Sequence, residues 1–494
     1  MKILKLNELN HKQAKYLQLA DSVRKAIRAG QLRAGEALPS VRSLSEELNI
    51  NRHTVMKSFA ELIAEGWIES QQRIGYRVAL HLPIEGSQAA KPDKLKGEEG
   101  FAYRFVRTAR PLPEVLAQNF TYNFSGGQPD VGEFPFAEFR RHMSETLSRP
   151  QLNQLGYGEG AGTPELIEQL KTYLRKSRAI IDRDIIITNG SQEAMFILAQ
   201  LLLQTGDKVA VEALGYPPAM AAFQSTGAHI APIKQDAQGL CPEHLARLIK
   251  QGNIRLIYLT PLHQYPTTVT LSVGRRMKIY QLAAKHKIPI IEDDYDHEFH
   301  YRCQPLAPLA SSDPERLVIY LSSFSKIMFP GARIGVMALS PTLAKAVEAY
   351  RLMICHKSNV LMQSALAKWM QQGGFERHLR RTTRLNQQRR DHAVALLQKT
   401  QLFEFTVPDG GMALWLKIKN HQLSASRLAR EAQQRDIYIQ HEGQYHVQKN
   451  DNQDRYIRIG FAGMDEQAFA RGITLLVALM QEQGSEVALF SSGS

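Results

Sequence analysis

The stretch SSFSKIMFPGARIG, residues 322–335, places one lysine among small hydroxyl residues, with an arginine seven positions after it. Two lysine chemistries predict such a cluster. One is the S-x-x-K of acyl-transferring serine enzymes, here Ser323 to Lys326. In the other, the lysine forms a Schiff base with an aldehyde, while the hydroxyls and Arg333 hold a phosphate. The rest of the chain decides between them.

Apolar runs typical of buried strands lie upstream of the lysine and alternate with helical stretches. They read DIIIT, KVAVE, IRLIYLT, IPIIEDD and RLVIYLSS. This alternation predicts an α/β domain with a largely parallel sheet. Nearer the C-terminus, GGMALWLKI and RYIRIGFA lie between helical stretches, which predicts a smaller α+β domain.

Residue types suited to ligand chemistry follow several of these runs. Gly190, Ser191 and Gln192 open a helix after DIIIT, where free backbone amides form an anion site; an ordinary helix cap is the alternative. Tyr216 follows KVAVE and could stack on a flat ring. The acids of EDDYDHEFHY (292–301) follow IPII, and alone they predict either a metal site or a solvated acidic turn.

A pyridoxal phosphate site accounts for all these features together. The cofactor needs a lysine, a carboxylate on the pyridine nitrogen, phosphate donors, an aromatic ring and a polar group near its phenolic oxygen. In α/β sheets such groups lie at the carboxyl ends of strands. The acylase alternative lacks its S-D-N, K-T-G or G-x-S-x-G partners. The G-x-G-x-x-A of Gly156, Gly158 and Ala161 follows no strand and is rejected as a dinucleotide fingerprint.

Residues 1–80 predict a winged helix-turn-helix. KYLQLADSVRKAIRAG is amphipathic, and Ser40 and Asn51 are predicted to cap two further helices. GWIESQQRIGYRVA then alternates like a β-wing. A generic helical domain with a solvated basic face is the alternative. The candidate DNA contacts at the start of the second helix and in the wing are Asn51, Arg52, His53, Thr54, Arg73 and Arg77.

Resemblance to known families adds to these predictions. LPSVRSLSEELNINRHTVMKSFAELIAEGWIE resembles the winged helix of the GntR regulator family, which implies that Arg42, Arg52, Thr54 and Gly75 lie at the DNA surface. Residues 120–480 resemble a fold-type I aminotransferase. Together with the GntR-like head, the motifs EDDYDHEFHY, TPLHQYPTT and SSFSKIMFPGARIG resemble the MocR subfamily of regulators.

The MocR resemblance also implies roles for individual residues. Lys326 would form the internal aldimine, Asp293 would pair with the pyridine nitrogen, and Arg458 would clamp an amino-acid carboxylate. The remaining cofactor contacts would be Tyr295 at the phenolic oxygen, Tyr216 on the ring, Ser191, Gln192, Ser323 and Arg333 on the phosphate, and Tyr157 reaching into the partner subunit of a homodimer. The chain departs from the family pattern at Leu262 (usually serine), Thr268 (usually glycine) and Gly160 (often proline).

The predicted architecture is multidomain. A winged helix-turn-helix (1–80) and a flexible linker (81–118) precede an aminotransferase-like α/β domain (119–484), with a large part at about 120–350 and a small α+β part at about 370–484. Of 494 residues, only three are cysteines, and none forms a C-x-x-C pair, which favours a reducing compartment. The start MKILKLNELNHKQ has no apolar core long enough for a signal peptide, so we expect none. We expect a cytoplasmic protein with no metal site and no membrane segment.

The predicted function is a PLP-dependent regulator that binds promoter DNA and senses PLP or an amino compound through the internal aldimine. The alternative is a working aminotransferase with an accessory DNA-binding head; at most slow transamination is expected of the regulator. The net charge is +13, and residues 1–80 hold 13 Lys and Arg against 8 Asp and Glu. This excess favours a polyanionic partner. A second basic tract, 376–391, is predicted to be a helix with a solvated face rather than a nucleic-acid contact.

Overall fold

The computed structural model describes residues 14–71, 75–82, 120–150, 152–156, 160–301, 304–447 and 454–491. The chain divides into two compact units, Met1–Phe105 and Val106–Ser494. Within the described residues, every helix is too short or too polar to span a bilayer. The predicted linker, 81–118, lies outside the described residues except at its first two positions.

The first unit has the predicted winged helix-turn-helix. Its elements are α1 (Lys15–Arg28), α2 (Val41–Glu47), α3 (Arg52–Ala64), β1 (Ile68–Gln71) and β2 (Gly75–Val78). Ser40 caps α2 and Asn51 caps α3, as predicted, through side-chain oxygens that accept backbone N–H groups. Val55, Phe59 and Leu62 of α3 are buried with residues of α1 and α2. The wing strands β1 and β2 pair antiparallel.

The second unit contains the two sheets that the sequence predicts and the helices around them. Its strands are β3 (Tyr122–Asn123), β4 (Asp184–Thr188), β5 (Lys208–Glu212), β6 (His229–Ile233), β7 (Gln235–Asp236), β8 (Gly239–Leu240), β9 (Ile254–Leu259), β10 (Ile290–Asp294), β11 (Val318–Ser323), β12 (Gly335–Leu339), β13 (Phe403–Glu404), β14 (Ala413–Ile418), β15 (Ile437–Tyr438), β16 (Gln440–His441) and β17 (Tyr456–Gly460). Its helices are α4 (Phe136–Ser148), α5 (Leu152–Leu155), α6 (Pro164–Arg178), α7 (Ser191–Leu202), α8 (Pro217–Gln224), α9 (Pro242–Lys250), α10 (Val273–His286), α11 (Pro341–Ile354), α12 (Val360–Gln371), α13 (Gly374–Thr400), α14 (Ala425–Gln434) and α15 (Glu466–Ser491).

The large sheet has the order β4-β12-β11-β10-β9-β5-β6. All of its strands are parallel except β12, which pairs antiparallel with β4 and β11. The largely parallel sheet predicted from the apolar runs is therefore confirmed. Both faces are buried, because one apolar cluster contains Ile187, Ile257 and Tyr320 and another contains Tyr258 and Ile291. Because the strands are parallel, their carboxyl ends lie along one edge of the sheet, where such sheets bind ligands.

The smaller sheet is antiparallel, with the order β13-β14-β17-β16. GGMALWLKI and RYIRIGFA supply its neighbouring strands β14 and β17, as predicted. Strand β3, at the start of the second unit, pairs with β15, and Phe124 is buried in the core of this smaller part. The segment around residue 124 therefore joins a layer whose other strands come some 280 or more residues later in the chain.

The basic tract 376–391 lies within α13 and forms a helix, as expected. Arg389 and Arg390 are buried on it, and Arg389 donates to Asp130 Oδ2 at 2.8 Å and to the carbonyl of Ala462 at 2.7 Å. Arg377, Arg380, Arg381 and Arg384 line an outer surface of the same helix. One side of the tract 376–391 thus contacts the chain after β17 of the smaller sheet, while its other side is exposed.

Candidate functional site

A cavity of about 280 Å³ lies at the carboxyl edge of the large sheet. It brings together residues predicted from four separate stretches of sequence. The predicted residues that line it are Ser191, Gln192, Tyr216, Asp293, Tyr295, Ser323, Lys326 and Arg333. Tyr157 lies outside the described residues, so its predicted place at a partner's phosphate remains a prediction.

Lys326 and Asp293 face this cavity from neighbouring parallel strands. Asp293 is near the end of β10, level with Leu321 on β11, and Lys326 follows β11 in a turn. Gly127, from the segment after β3, approaches the amine: a Cβ at this position would lie 3.5 Å from Lys326 Nζ. The amine thus has the segment after β3 against it.

Asp293 is buried, and its two carboxylate oxygens have different surroundings. Oδ2 accepts a hydrogen bond from the Tyr258 hydroxyl at 2.8 Å, whereas Oδ1 is buried without a partner. Burial, together with the nearby charges of Asp294 and Asp296, raises the pKa of Asp293 to about 6, and Tyr258 and Lys326 oppose this rise. Asp293 therefore remains largely ionised at neutral pH and carries one free acceptor.

The neighbouring acids are engaged elsewhere. Glu292 accepts from the backbone N–H groups of Leu309 and Ala310 at 2.8 and 3.0 Å. Asp294 accepts from Tyr320 Oη at 2.6 Å and contacts His297 Nδ1 at 2.8 Å. Within the described ranges no group of three His, Cys, Asp or Glu side chains is arranged to bind a metal. The run of acids serves the cavity only through Asp293.

The N-terminus of α7 and Arg333 meet at one corner of the cavity. Arg333 lies two residues before β12, the strand beside β4, and donates to the carbonyl of Asn189 in the loop between β4 and α7. Gly190 has a φ of +86°, and a Cβ on it would lie 2.7 Å from Arg333 Nη2, so only glycine permits this approach. Gln192 Nε2 donates to the Pro218 carbonyl at 2.9 Å, leaving its Oε1 buried without a partner.

Tyrosines form much of the cavity wall. The rings of Tyr216 and Tyr265 meet edge to face at 5.1 Å. Burial, followed by the charge of Asp296, holds the pKa of Tyr295 well above its ordinary value, and its hydroxyl donates to the His263 carbonyl at 2.9 Å. The predicted hydrogen bond from Tyr295 to a phenolic oxygen would require this hydroxyl to leave His263.

Arg458, on the smaller sheet, is not among the residues that line the cavity, but it lies against Gly126 and Tyr265, which are. It is 1% exposed, its guanidinium lies over the Tyr265 ring at 4.4 Å, and its Nε and Nη1 are buried without hydrogen-bond partners. Gly126, which lines the cavity, packs so closely that a Cβ there would lie 1.8 Å from Nη1. Gln440 Oε1 accepts the Gly126 N–H at 3.1 Å and holds this segment in place. A buried cation with unused donors is typical of an anion site.

The three departures from the family pattern do not line this cavity. Leu262 is buried, and Thr270 Oγ1 donates to its carbonyl at 2.8 Å. Thr268 has a φ of +63°, the left-handed conformation that explains why glycine is usual there. Gly160 is buried, and its carbonyl accepts from Arg351.

Several cavity residues carried no predicted role. These are Ser125, Gly126, Gly127, Gln128, Tyr258, Thr260, Tyr265, Ser325, Pro330, Tyr438 and Gln440. Tyr258 could have been predicted from the sequence, because it lies in the strand-like run IRLIYLT, which precedes IPIIEDD in the chain. Gly126 and Gln440 had none, since they approach the site from segments distant in sequence.

The predicted DNA-contact residues of α2 and α3 form one polar surface. The side chains of Arg42 and Arg52 are 74% and 58% exposed, and Glu46 lies 3.1 and 3.8 Å from them. His53 is exposed and Thr54 half-buried at the start of α3, and Gly75 is exposed in the wing. Arg77 pairs across the wing with Glu69 at 3.1 Å, and Arg73 lies outside the described residues. The arrangement offers guanidinium groups beside the first turn of α3.

Comparison with known proteins gives different matches for the winged helix-turn-helix and for the part with the two sheets. Residues 15–78 match the family described as bacterial regulatory proteins, gntR family. The chain is 30% identical over 486 residues to the probable rhizopine catabolism regulatory protein MocR of Rhizobium meliloti, covering 97% of this chain and 94% of that protein. It is 28% identical to the HTH-type transcriptional regulator TauR of Rhodobacter capsulatus, covering 73% and 74%. The crystal structure of Pyrococcus horikoshii kynurenine aminotransferase, solved in complex with PMP, superposes with a TM-score of 0.69 at 27% identity over 74% of this chain and 91% of that one.

Proposed function

Because the chain belongs to the MocR subfamily of GntR-type transcriptional regulators, we propose that pyridoxal 5'-phosphate binds in the cavity around Lys326 and that this cofactor, or an amino compound reacting with it, controls DNA binding. The chain is a DNA-binding regulator with an aminotransferase-like domain. The proposal concerns the cofactor, the signal and the residues that recognise them. We place the protein in the cytoplasm, where it has access to promoter DNA.

One observation carries the proposal: a lysine amine shares its cavity with a buried carboxylate that has one oxygen unused. Asp293 Oδ1 is buried without a hydrogen-bond donor, and the protonated pyridine nitrogen of the cofactor would supply one N–H. The corner formed by the α7 N-terminus and Arg333 suits the phosphate. The donor and acceptor groups of the cavity thus fit this cofactor.

The cofactor, when bound, supplies an aldehyde that condenses with amines and a ring that withdraws electrons. The chain's own residues would orient it. Lys326 would present its amine to the aldehyde, Asp293 would hold the ring nitrogen, and Tyr216 would cover the ring. Ser191, Gln192, Ser323 and Arg333 would hold the phosphate.

The cavity also favours one chemical class of effector, an amine that carries an acid group. Arg458, which lies against the cavity-lining Gly126 and Tyr265, has unused buried donors, and a planar guanidinium suits a carboxylate. Among the described residues that line the cavity, Asp293 is the one carboxylate, so a second ammonium group would find no counter-ion. Amino acids and ω-amino acids should therefore be preferred over diamines.

We further propose a homodimer in which Tyr157 reaches a partner's site. Leu152 and Leu155 of α5, which precede Tyr157, are 77% and 50% exposed. Gly160, just after it, packs against the end of α11, where Met353 is 73% exposed. Exposed apolar side chains on α5 and near the end of α11 support an interface there. Analytical ultracentrifugation of Met353→Asp, compared with the natural protein, tests it: an unchanged dimer would contradict this location.

The cofactor proposal is tested with the purified protein and pyridoxal phosphate. Visible absorbance should develop, and borohydride should fix the cofactor to Lys326 in peptide mapping. Gel shifts with promoter DNA, with and without cofactor and amino acids, test the control of DNA binding. Protein that stays colourless and unlabelled at Lys326 would contradict cofactor binding.

A turnover measurement distinguishes the alternative function, a working aminotransferase, from the regulator. Under the regulator proposal, an amino-acid panel with 2-oxoglutarate should give at most slow transamination. Sustained turnover at about 1 s⁻¹ or faster, without any effect of these compounds on DNA retention, would favour the enzyme.

A further inference from the structure

Tyr258 is a cavity residue to which the roles above assign nothing. It lies on β9, is 2% exposed, and its ring packs edge to face against Phe223 at 5.5 Å. A buried tyrosine usually needs a hydrogen-bond partner for its hydroxyl. Here the partner is Asp293 Oδ2, at 2.8 Å.

The sheet register explains why these two groups meet. Tyr258 pairs with Ile291 on the adjacent strand β10, and Asp293 lies two residues beyond Ile291. Paired residues project to the same face, and so do residues two apart, so Tyr258 and Asp293 are diagonal neighbours on one face. A diagonal pair of this kind is within reach of a long side chain such as tyrosine.

The hydroxyl acts as a donor to Asp293. Burial, followed by the charge of Asp293, holds the pKa of Tyr258 well above its ordinary value, so the phenol keeps its proton. With Oδ2 engaged, the unpartnered Oδ1 is the acceptor that remains. We propose that Tyr258 is a positioning residue that turns one oxygen of Asp293 toward the cofactor and keeps this carboxylate ionised. This inference rests on the proposed function.

The groups around Asp293 show why a donor is needed. Asp294 and Asp296 disfavour its charge, as burial does, while Tyr258 and Lys326 favour it. Of the two groups that favour the ionised form, Tyr258 is the one that donates a hydrogen bond to the carboxylate. A protonated Asp293 would offer the ring nitrogen no negative charge.

Tyr258→Phe tests the inference, because it keeps the ring and removes only the hydroxyl. A hydrogen bond to a charged group contributes about 1.5–3 kcal/mol, so cofactor affinity should fall about 10- to 100-fold at pH 7. The acidic midpoint at which affinity declines should also move to higher pH. Tyr320→Phe is the matched control: its hydroxyl is equally buried but donates to Asp294 at 2.6 Å, and neither affinity nor midpoint should change as much.

The Asp293→Asn background keeps the test decisive if Tyr258→Phe alone fails to fold. Asparagine carries no charge, so removing the hydroxyl there leaves no buried charge unpaired. Cofactor affinity in Asp293→Asn should be low and should show no acidic midpoint. Adding Tyr258→Phe to this variant should leave its cofactor affinity unchanged. Equal losses from Tyr258→Phe in both backgrounds, or natural affinity in Tyr258→Phe, would overturn the role of Tyr258 while cofactor binding stands. Absence of any absorbance or borohydride label in the natural protein would instead overturn both this inference and the proposed function.

Discussion

Gly126→Ala should separate effector recognition from cofactor binding. The added methyl carbon would lie 1.8 Å from Arg458 Nη1 and 3.0 Å from Ala413 Cβ. Gly126 does not have a positive φ, so the backbone tolerates alanine and the effect is purely steric. To reach an ordinary contact of 3.4 Å the guanidinium must retreat by about 1.6 Å, and the Tyr265 ring already covers one of its faces.

A displacement of that size breaks the alignment of a bidentate contact. Loss of a charge-assisted hydrogen bond costs about 1.5–3 kcal/mol, which corresponds to about 10- to 100-fold weaker binding of a carboxylate-bearing amine. None of the three heavy atoms nearest the new methyl belongs to Lys326, Asp293 or Arg333. Cofactor affinity should therefore change by no more than a few-fold.

The assay is a spectral titration of cofactor-loaded protein with glycine, β-alanine, 4-aminobutyrate and L-alanine, and with butylamine as the matched amine without an acid. The natural protein should prefer at least one amino acid to butylamine, and Gly126→Ala should lose that preference. Gly274→Ala serves as control, because no heavy atom lies within 4 Å of its Cβ position. If the natural protein binds butylamine and all the amino acids with the same affinity, Arg458 does not bind a carboxylate as proposed. A Gly126→Ala protein that keeps the full preference would refute the steric reasoning.

Three further predictions concern single residues. Lys326→Ala should abolish the visible absorbance with pyridoxal phosphate, measured by spectrophotometry; an unchanged spectrum would remove the lysine from its role. Arg52→Ala should weaken promoter binding by about 1–3 kcal/mol in a gel shift without altering that spectrum, whereas Lys345→Ala, which removes one exposed charge from α11, should not weaken it. Burial raises the pKa of Glu212 from 4.5 to about 8, so the folded protein holds a proton that the unfolded chain releases, and cofactor-free stability should fall as pH rises from about 5 to 8. Glu212→Gln should flatten this dependence in thermal unfolding, and an equally steep fall in the variant would contradict a protonated Glu212.

The strands that carry the site were predictable because burial on both faces of a parallel sheet demands runs of branched apolar residues. DIIIT and IRLIYLT have that pattern, and both are strands. Strand β6 is less evident, since HIAPI contains a proline, which its edge position tolerates. Strand β12, GVMAL, follows the lysine motif so closely that its pattern merges with the preceding turn.

The site was predictable to the extent that its residues follow strands. Asp293 and Lys326 meet because parallel neighbours end at one edge, which holds for any such sheet. Arg333 meets Gly190 because β12 runs back beside β4, and that pairing is visible only in the fold. Tyr258 depends on the register between β9 and β10, and Gly126 on the pairing of β3 with β15. Neither register nor long-range pairing is contained in a local pattern.

The segment after β3 lies against side chains from both parts of the second unit. Arg458 belongs to the smaller sheet and Lys326 follows a strand of the large one, and Gly126 and Gly127 lie against these two side chains. A ligand held by both cations would therefore constrain the two sheets and this segment together. An effector can shift the DNA-binding equilibrium only if it favours one arrangement of the chain over another. Since a bound acid would neutralise Arg458 where Gly126 touches it, we expect an effector to favour one arrangement of the second unit through this contact.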